Sequence, residues 1–380
     1  MQSSTMHSPK DESRQSADAG EALPRVWVIM GYRAGERTQT LALAEALGLP
    51  FELKRPRHSR YDFVPGLLRR ESLLGVRRCD RAELAPPWPD LVISAGMRNE
   101  PICRWIKQQS RGSTRLVHIG RPWARIEHFD LVITTPQYRL PRRPNVLQNL
   151  GTLHSVTPAT LAEAGAVWRP RFADLPRPHM AVIVGGNSGP YTFGPRTAAR
   201  LGRRIGEITR LQGGSALVTT SSRTTAKATA SLRETLRCPH YFYEWSPTAD
   251  ENPYLGILAD ADEIVVTSDS VSMLSEATAT QKPVYMFDLG MDHTPATARG
   301  EADLRLGAWL YRLLMRFAHP RLSRDLGLFH QALIDSGRAS WLEQRAAPAS
   351  NQPSTDRDRA VVAVMELLGQ RLAQCAEESG

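Results

Sequence analysis

Three hydroxyls and one carboxylate crowd a single short stretch. Ser268, Asp269 and Ser270 separate the apolar run 264–267 from a segment of helical pattern, 271–280, and Ser272 stands just inside that segment. The run is apolar and β-branched, which predicts a buried parallel strand. Ser270 is suited to cap the helix that follows. Unpaired N–H groups and the helix dipole at such a start favour a phosphate. Ser272, Met273 and Glu276 come next, with Ser272 and Glu276 four residues apart and so on one face. A carboxylate one turn beyond a phosphate can accept both hydroxyls of a ribose, which is the pattern of a sugar-nucleotide site. The plainer reading is a capped strand–helix unit with a solvated Glu276.

Other polar loops fall at equivalent places. Gly185, Gly186, Asn187 and Ser188 follow the expected strand 180–184 and precede a helix over 195–211. They offer unhindered N–H groups and a hydroxyl to a diphosphate, or form a glycine-rich surface turn. Ser221 and Arg223 follow a strand at 215–218, and Asn252 with Pro253 opens a helix at 254–261 that begins with Tyr254. These loops and the serine stretch all lie at the C-terminal ends of strands in one sheet, where open α/β sheets bind ligands. In the first half, a strand at 25–30 leads through GYRAGERTQ into a helix expected over 40–47. Gly35 and Gln39 lie in that loop with Glu36, which is either a general base or a favourable charge at a helix start. Arg98 and Asn99 end a strand on the same edge, and His118, ending the strand 115–119, reads as a satisfied histidine rather than a catalyst.

Strand and helix alternate throughout, and the order strand, glycine-rich loop, helix heads both halves. The fold class is therefore α/β, with two similar domains in tandem, each built on a parallel sheet. We expect a disordered tail at 1–24, domains at 25–167 and 179–345, a proline-rich linker at 168–178, a connection at 346–358 and a last amphipathic helix from 359. Helical patterns also cover 304–317 and 323–336. The chain of 380 residues carries a net charge of +9, which suits anionic partners. No apolar run is long enough to span a bilayer, and the N-terminus lacks a secretory h-region. Cys79, Cys103, Cys238 and Cys375 are far apart, which fits a reducing compartment and no zinc site. No DxD-like pair calls for a metal. Residues 52–81 hold nine Lys/Arg against four Asp/Glu, the profile of either an anionic-membrane contact or a solvated face. No aromatic interleaving accompanies these charges, so no nucleic acid is expected.

The stretches VTSDSVSMLSEA, ENPYLGILADADEIVVTSDS, GYRAGERTQTLALAEALGLPFELK and FDLVITTP resemble the family named for a plant mitochondrial fission protein. That family looks like a GT-B glycosyltransferase, so the resemblance implies two Rossmann-like domains around a cleft. VGGNSG followed by SDSVSMLSE is also similar to the donor half of the transferase that adds N-acetylglucosamine to the lipid-linked peptidoglycan precursor. By that likeness Gly185, Gly186, Asn187 and Ser188 face a diphosphate and Glu276 holds the ribose. That enzyme has a histidine in its first glycine-rich loop, whereas GYRAGERTQ has none, so its base does not carry over. No mitochondrial transit peptide is visible, and the expected setting is bacterial cytosol, with a peripheral place on the inner face of the membrane. The combined expectation is a glycosyltransferase that uses a nucleotide-diphosphate sugar as substrate and keeps no bound cofactor. Its acceptor, an envelope glycan or glycolipid, would lie near Gly35, Gln39, Arg98 and Asn99. A nucleotide-sugar epimerase and a non-catalytic scaffold are the alternatives, and the oligomeric state is open.

Overall fold

Most apolar runs of the sequence become strands covered on both faces, whereas an edge strand such as Phe51–Lys54 carries charged residues. The computed structural model describes residues 23–58, 71–289, 303, 305–317, 324–345 and 355–379. Most of the expected tail, residues 59–70 of the basic segment and most of the connection at 346–358 lie outside the described residues. The first sheet contains β1 (Val26–Ile29), β2 (Phe51–Lys54), β3 (Leu91–Ala95), β4 (Arg115–Ile119), β5 (Leu131–Thr134) and β6 (Val146–Gln148). Its order is β2-β1-β3-β4-β5-β6, with every pair parallel. On its faces lie α1 (Ala34–Ala46) and α2 (Glu100–Gln109).

The helix α3 (Pro158–Phe172) leads into the second sheet, made of β7 (His179–Ile183), β8 (Ser215–Thr219), β9 (His240–Tyr243), β10 (Glu263–Thr267), β11 (Val284–Phe287) and β12 (Ser340–Trp341). Its order is β12-β11-β10-β7-β8-β9, again parallel. Around it pack α4 (Pro195–Gln212), α5 (Ala226–Thr235), α6 (Tyr254–Asp260), α7 (Val271–Thr278), α8 (Leu306–Phe317) and α9 (Leu326–Asp335). The last helix, α10 (Asp356–Ser379), returns to the first domain, where Ala360, Val364 and Leu368 are buried beside Leu43 and Val117. Two Rossmann-like domains with parallel sheets are therefore present.

Two local expectations need correction. The first helix starts at Ala34 rather than near residue 40, so Glu36 lies in its first turn. Residues 168–172 are not linker but the last turns of α3, begun at Thr157, whose hydroxyl accepts the Thr160 N–H. Trp168 and Phe172, four apart, are buried in the second core, and Gly256 of α6 lets the indole approach closely. This burial holds the helix although Pro170 removes one of its donors. The chain changes domain earlier: Leu153 belongs to the first core and Val156 to the second.

That passage is gripped from both sides. The Asp356 carboxylate, at the start of α10, accepts the N–H groups of Leu150 (3.0 Å) and Gly151 (2.7 Å). Ser275 of α7 accepts the N–H of Thr152 at 2.9 Å. Removing one partner of a buried hydrogen bond costs about 1–3 kcal/mol. Asp356→Ala should thus lower unfolding free energy by about 2 kcal/mol or more, while Asp358→Ala, on an exposed carboxylate in the same turn, changes it by less than about 0.5 kcal/mol. Equal effects in chemical denaturation would show that the passage is not anchored there.

Candidate functional site

Each strand order contains one place where neighbouring connections leave in opposite directions, and the crevice outside the strand ends there is where such sheets bind ligands. It falls between β1 and β3 in the first sheet and between β7 and β10 in the second. Both crevices hold an acidic side chain, and the two differ in what remains open.

In the first domain Glu36 reaches back from α1 into the gap between the ends of β1 and β3. Gly96 makes this possible: its φ is +80°, and a Cβ there would lie 2.6 Å from the Glu36 carboxyl carbon. One carboxylate oxygen accepts the Arg33 N–H at 3.2 Å. Glu36 borders a cleft of about 410 Å³ whose walls include Arg33, Arg98, Arg121 and Arg324. The Arg98 guanidinium lies 4.2 Å from the Tyr32 ring centre. Gln39 also lines the cleft, its amide donating to the Gly35 carbonyl at 3.0 Å. Asn99 is buried, and its side-chain amide donates to the carbonyls of Ile29, Met30 and Ala95, so it shapes the wall. A sealed group supports the opposite wall. Glu100 accepts the N–H groups of Trp123 and Ala124, both at 2.8 Å, and burial pushes its pKa up to about 7. His118 is wholly buried, with Ser94 Oγ 3.3 Å from Nδ1, and burial pushes its pKa down to about 3.

The second crevice is filled by the protein itself. Asp269 is buried, and its carboxylate accepts the Gly186 N–H (2.9 Å) and the Thr267 hydroxyl (2.7 Å) and pairs with Arg223 (2.8 Å). Burial raises its pKa and Arg223 opposes that rise. Gly185 leaves the room, since a Cβ there would lie 2.4 Å from an Asp269 oxygen. The hydroxyls of Ser221 and Thr224 both donate to the Gly185 carbonyl. The remaining N–H groups of the loop are also engaged: Gly185 with Thr267 Oγ1, Asn187 with the Arg223 carbonyl, Ser188 with the Tyr191 carbonyl. The Asn187 side chain accepts the Phe193 N–H at 3.0 Å. Gly185, Gly186, Ser221, Arg223 and Asp269 do come together, but on one another.

From this side the start of α7 approaches the first domain, while Tyr311 and Arg324 reach the cleft itself. Ser270 precedes α7 with no side-chain capping bond, and Ser268 is buried, its carbonyl accepting His330 Nε2 at 2.8 Å. Ser272 is partly exposed, and its Oγ lies 3.6 Å from where a Cβ on Gly35 would be. The starts of α1 and α7 therefore meet. One turn on, Glu276 accepts the Tyr254 hydroxyl, and burial pushes its pKa up to about 7 against that hydrogen bond. Asn252 accepts the Tyr254 N–H at 3.0 Å, and Met273 packs against the second core. Sequence reasoning missed Tyr311 and Arg324, which reach the first cleft from the second domain and were legible only as members of two helical patterns. It also passed over Arg33 and Arg121, which the strand-end rule would have found. Among the described residues no group of three or more His, Cys, Asp or Glu gathers as a cation site, and no helix is long and apolar enough to cross a membrane.

Comparison with known proteins places the chain. Two solved structures are similar over nearly the whole length at low identity. They are the UDP-GlcNAc 2-epimerase of Neisseria meningitidis bound to UDP-GlcNAc (12% identical, TM-score 0.48, 90% of this chain and 100% of that one) and Acinetobacter baumannii MurG (12% identical, TM-score 0.42, 91% and 99%). Likenesses this distant carry no argument of their own. The mitochondrial fission protein ELM1 of Arabidopsis thaliana is 31% identical over 241 residues, covering 58% of this chain. The match spans only 56% of the plant protein's length. The profile described as Mitochondrial fission ELM1 matches residues 34–368, and the chain is a member of that family.

Proposed function

We propose that the protein transfers a sugar from a nucleoside diphosphate to an acceptor hydroxyl held in the arginine-lined cleft of the first domain. The approach of Ser272, at the start of α7, to Gly35, at the start of α1, carries this reading. A diphosphate at the α7 start would place the attached sugar beside Glu36. Glu36 takes the proton from the acceptor hydroxyl, whose oxygen bonds to the anomeric carbon as the bond to the diphosphate breaks. The charge that develops on the leaving diphosphate is met by the α7 dipole and the neighbouring guanidinium groups. Glu276, which accepts the Tyr254 hydroxyl, holds the ribose. The four cleft arginines suit an acceptor that itself carries phosphate, such as an envelope glycan or glycolipid in a bacterial cytoplasm.

Titration calorimetry with UDP, GDP and CMP-sugars, followed by assay of donor hydrolysis, tests this. Glu36→Gln should bind the best nucleotide within about threefold of wild type and lose about a hundredfold or more in turnover. A variant with full turnover removes Glu36 as base, and no binding by any nucleotide removes the reading.

The Glu276 carboxyl adds a pH dependence. Its folded pKa of about 7 lies above the ordinary 4.5. It is neutral in both states below about pH 4.5, so it costs nothing there. The cost grows as pH rises through that window and is complete above about pH 7. Glu276→Gln should gain stability relative to wild type between pH 5 and pH 8, on the order of 1–3 kcal/mol. Nucleotide affinity should rise over the same interval in wild type and stay flat in the variant. Parallel stability curves, or a flat wild-type affinity, contradict this.

A further inference from the structure

The helix α8 presents a face that nothing among the described residues covers. Leu306, Trp309, Leu310, Leu313 and Phe317 recur at three- and four-residue spacing, and their exposure runs from 43% at Leu313 to 74% at Phe317. Five large apolar side chains on one arc of one helix exceed the scattered exposure ordinary for a surface. The opposite side of the helix is fixed. Ala308 is buried, and the Tyr311 ring packs against Gly189, where a Cβ would meet it at 3.4 Å. Arg305 donates to the Gly189 carbonyl at 2.7 Å and Arg312 to that of Pro190 at 3.3 Å. The helix therefore cannot roll its apolar side inward.

Charge selects the occupant. No Asp or Glu lies on α8, while Arg312 and Arg316 border the apolar arc. The neighbouring acid, Asp303, is turned away and accepts the N–H groups of Arg196 and Thr197 at the start of α4. An apolar face that includes Trp and Phe, flanked by arginine and free of acid, is the make-up of a helix lying in the headgroup region of an anionic bilayer. We infer that α8 docks the protein on an anionic lipid surface, with Trp309, Leu313 and Phe317 at the acyl boundary and Arg316 among the headgroups. The basic segment at 52–81, read from sequence as either such a contact or a solvated face, is less suited in its described part. There Val76 is buried and Arg57 pairs with Asp80. Tyr311, on the inner side of α8, lines the arginine-rich cleft, so docking would bring the cleft to the membrane. On the transfer reading above, the acceptor would then be lipid-borne, although docking itself does not require that chemistry.

The test is co-sedimentation of the full chain with vesicles of phosphatidylcholine alone and with phosphatidylglycerol added. The wild type should bind the anionic vesicles at least tenfold better than the neutral ones. Trp309→Ser with Leu313→Ser should lose at least tenfold, and Arg316→Gln should lose severalfold on anionic vesicles only. Leu211→Ser, at a still more exposed leucine near the end of α4, should change nothing. Unchanged melting curves and unchanged nucleotide titration of the double variant separate lost docking from misfolding and from a failed donor site. Three results would overturn the inference: no binding by the wild type, equal binding by the double variant, or a wild-type dimer in light scattering that the substitutions dissociate. The last would assign the face to a second copy of the chain.

Discussion

A carboxylate taken out of water must be met by donors and positive charge, or it either takes up a proton or stays charged at a cost of several kcal/mol. Asp269 is met on three sides, by a backbone N–H, a hydroxyl and the Arg223 guanidinium. Those partners come from three separate strand ends: the glycine loop after β7, the loop after β8, and β10 itself. One side chain therefore ties together the C-terminal ends of three adjacent strands of the second sheet, β10, β7 and β8. It also fixes where α7 begins, because Ser270 follows immediately. With the loop's N–H groups committed to this network, the α7 start is the part of that edge that meets the first domain.

The first domain resolves the same topology differently. Glu36 occupies the corresponding crevice but remains at the margin of an open cleft, and its neighbours there are arginines and aromatic rings rather than closing hydrogen bonds. One domain thus supplies a rigid, dipolar edge and the other an open, positively charged cavity. The passage at 149–156, fastened by Asp356 and Ser275, sets the distance between them. Because α10 starts at that passage and packs on the first core, the chain binds both domains together at their junction.

The strands were legible because a sheet covered on both faces needs uninterrupted apolar runs, and no other segments offered them. The parallel order followed from the alternation with helices. The α1 start was misjudged because Arg33 and Ala34 give no capping signal, and the helix is held instead by the Glu36 side chain turned back to the Arg33 N–H. The linker was misjudged because three prolines outweighed Trp168 and Phe172, whose spacing of four was the better sign of a buried face. The polar loops were correctly placed at one sheet edge, but sequence spacing cannot say whether a strand-end carboxylate turns toward a ligand or back into the sheet. For Asp269 the missing side chain of Gly185 decides it, since only a glycine leaves room for the inward orientation. The exposed arc of α8 was visible as helical periodicity, but periodicity alone reads as a core-facing stripe.

The central claim is that the α7 start, and not the glycine loop, receives the diphosphate. Hydrogen–deuterium exchange with and without a saturating nucleoside diphosphate tests it residue by residue. The amides of 271–273 should slow on binding, while those of 185–188, already bonded within the protein, should keep their rates. Slowing confined to 185–188 with 271–273 unchanged would contradict the account.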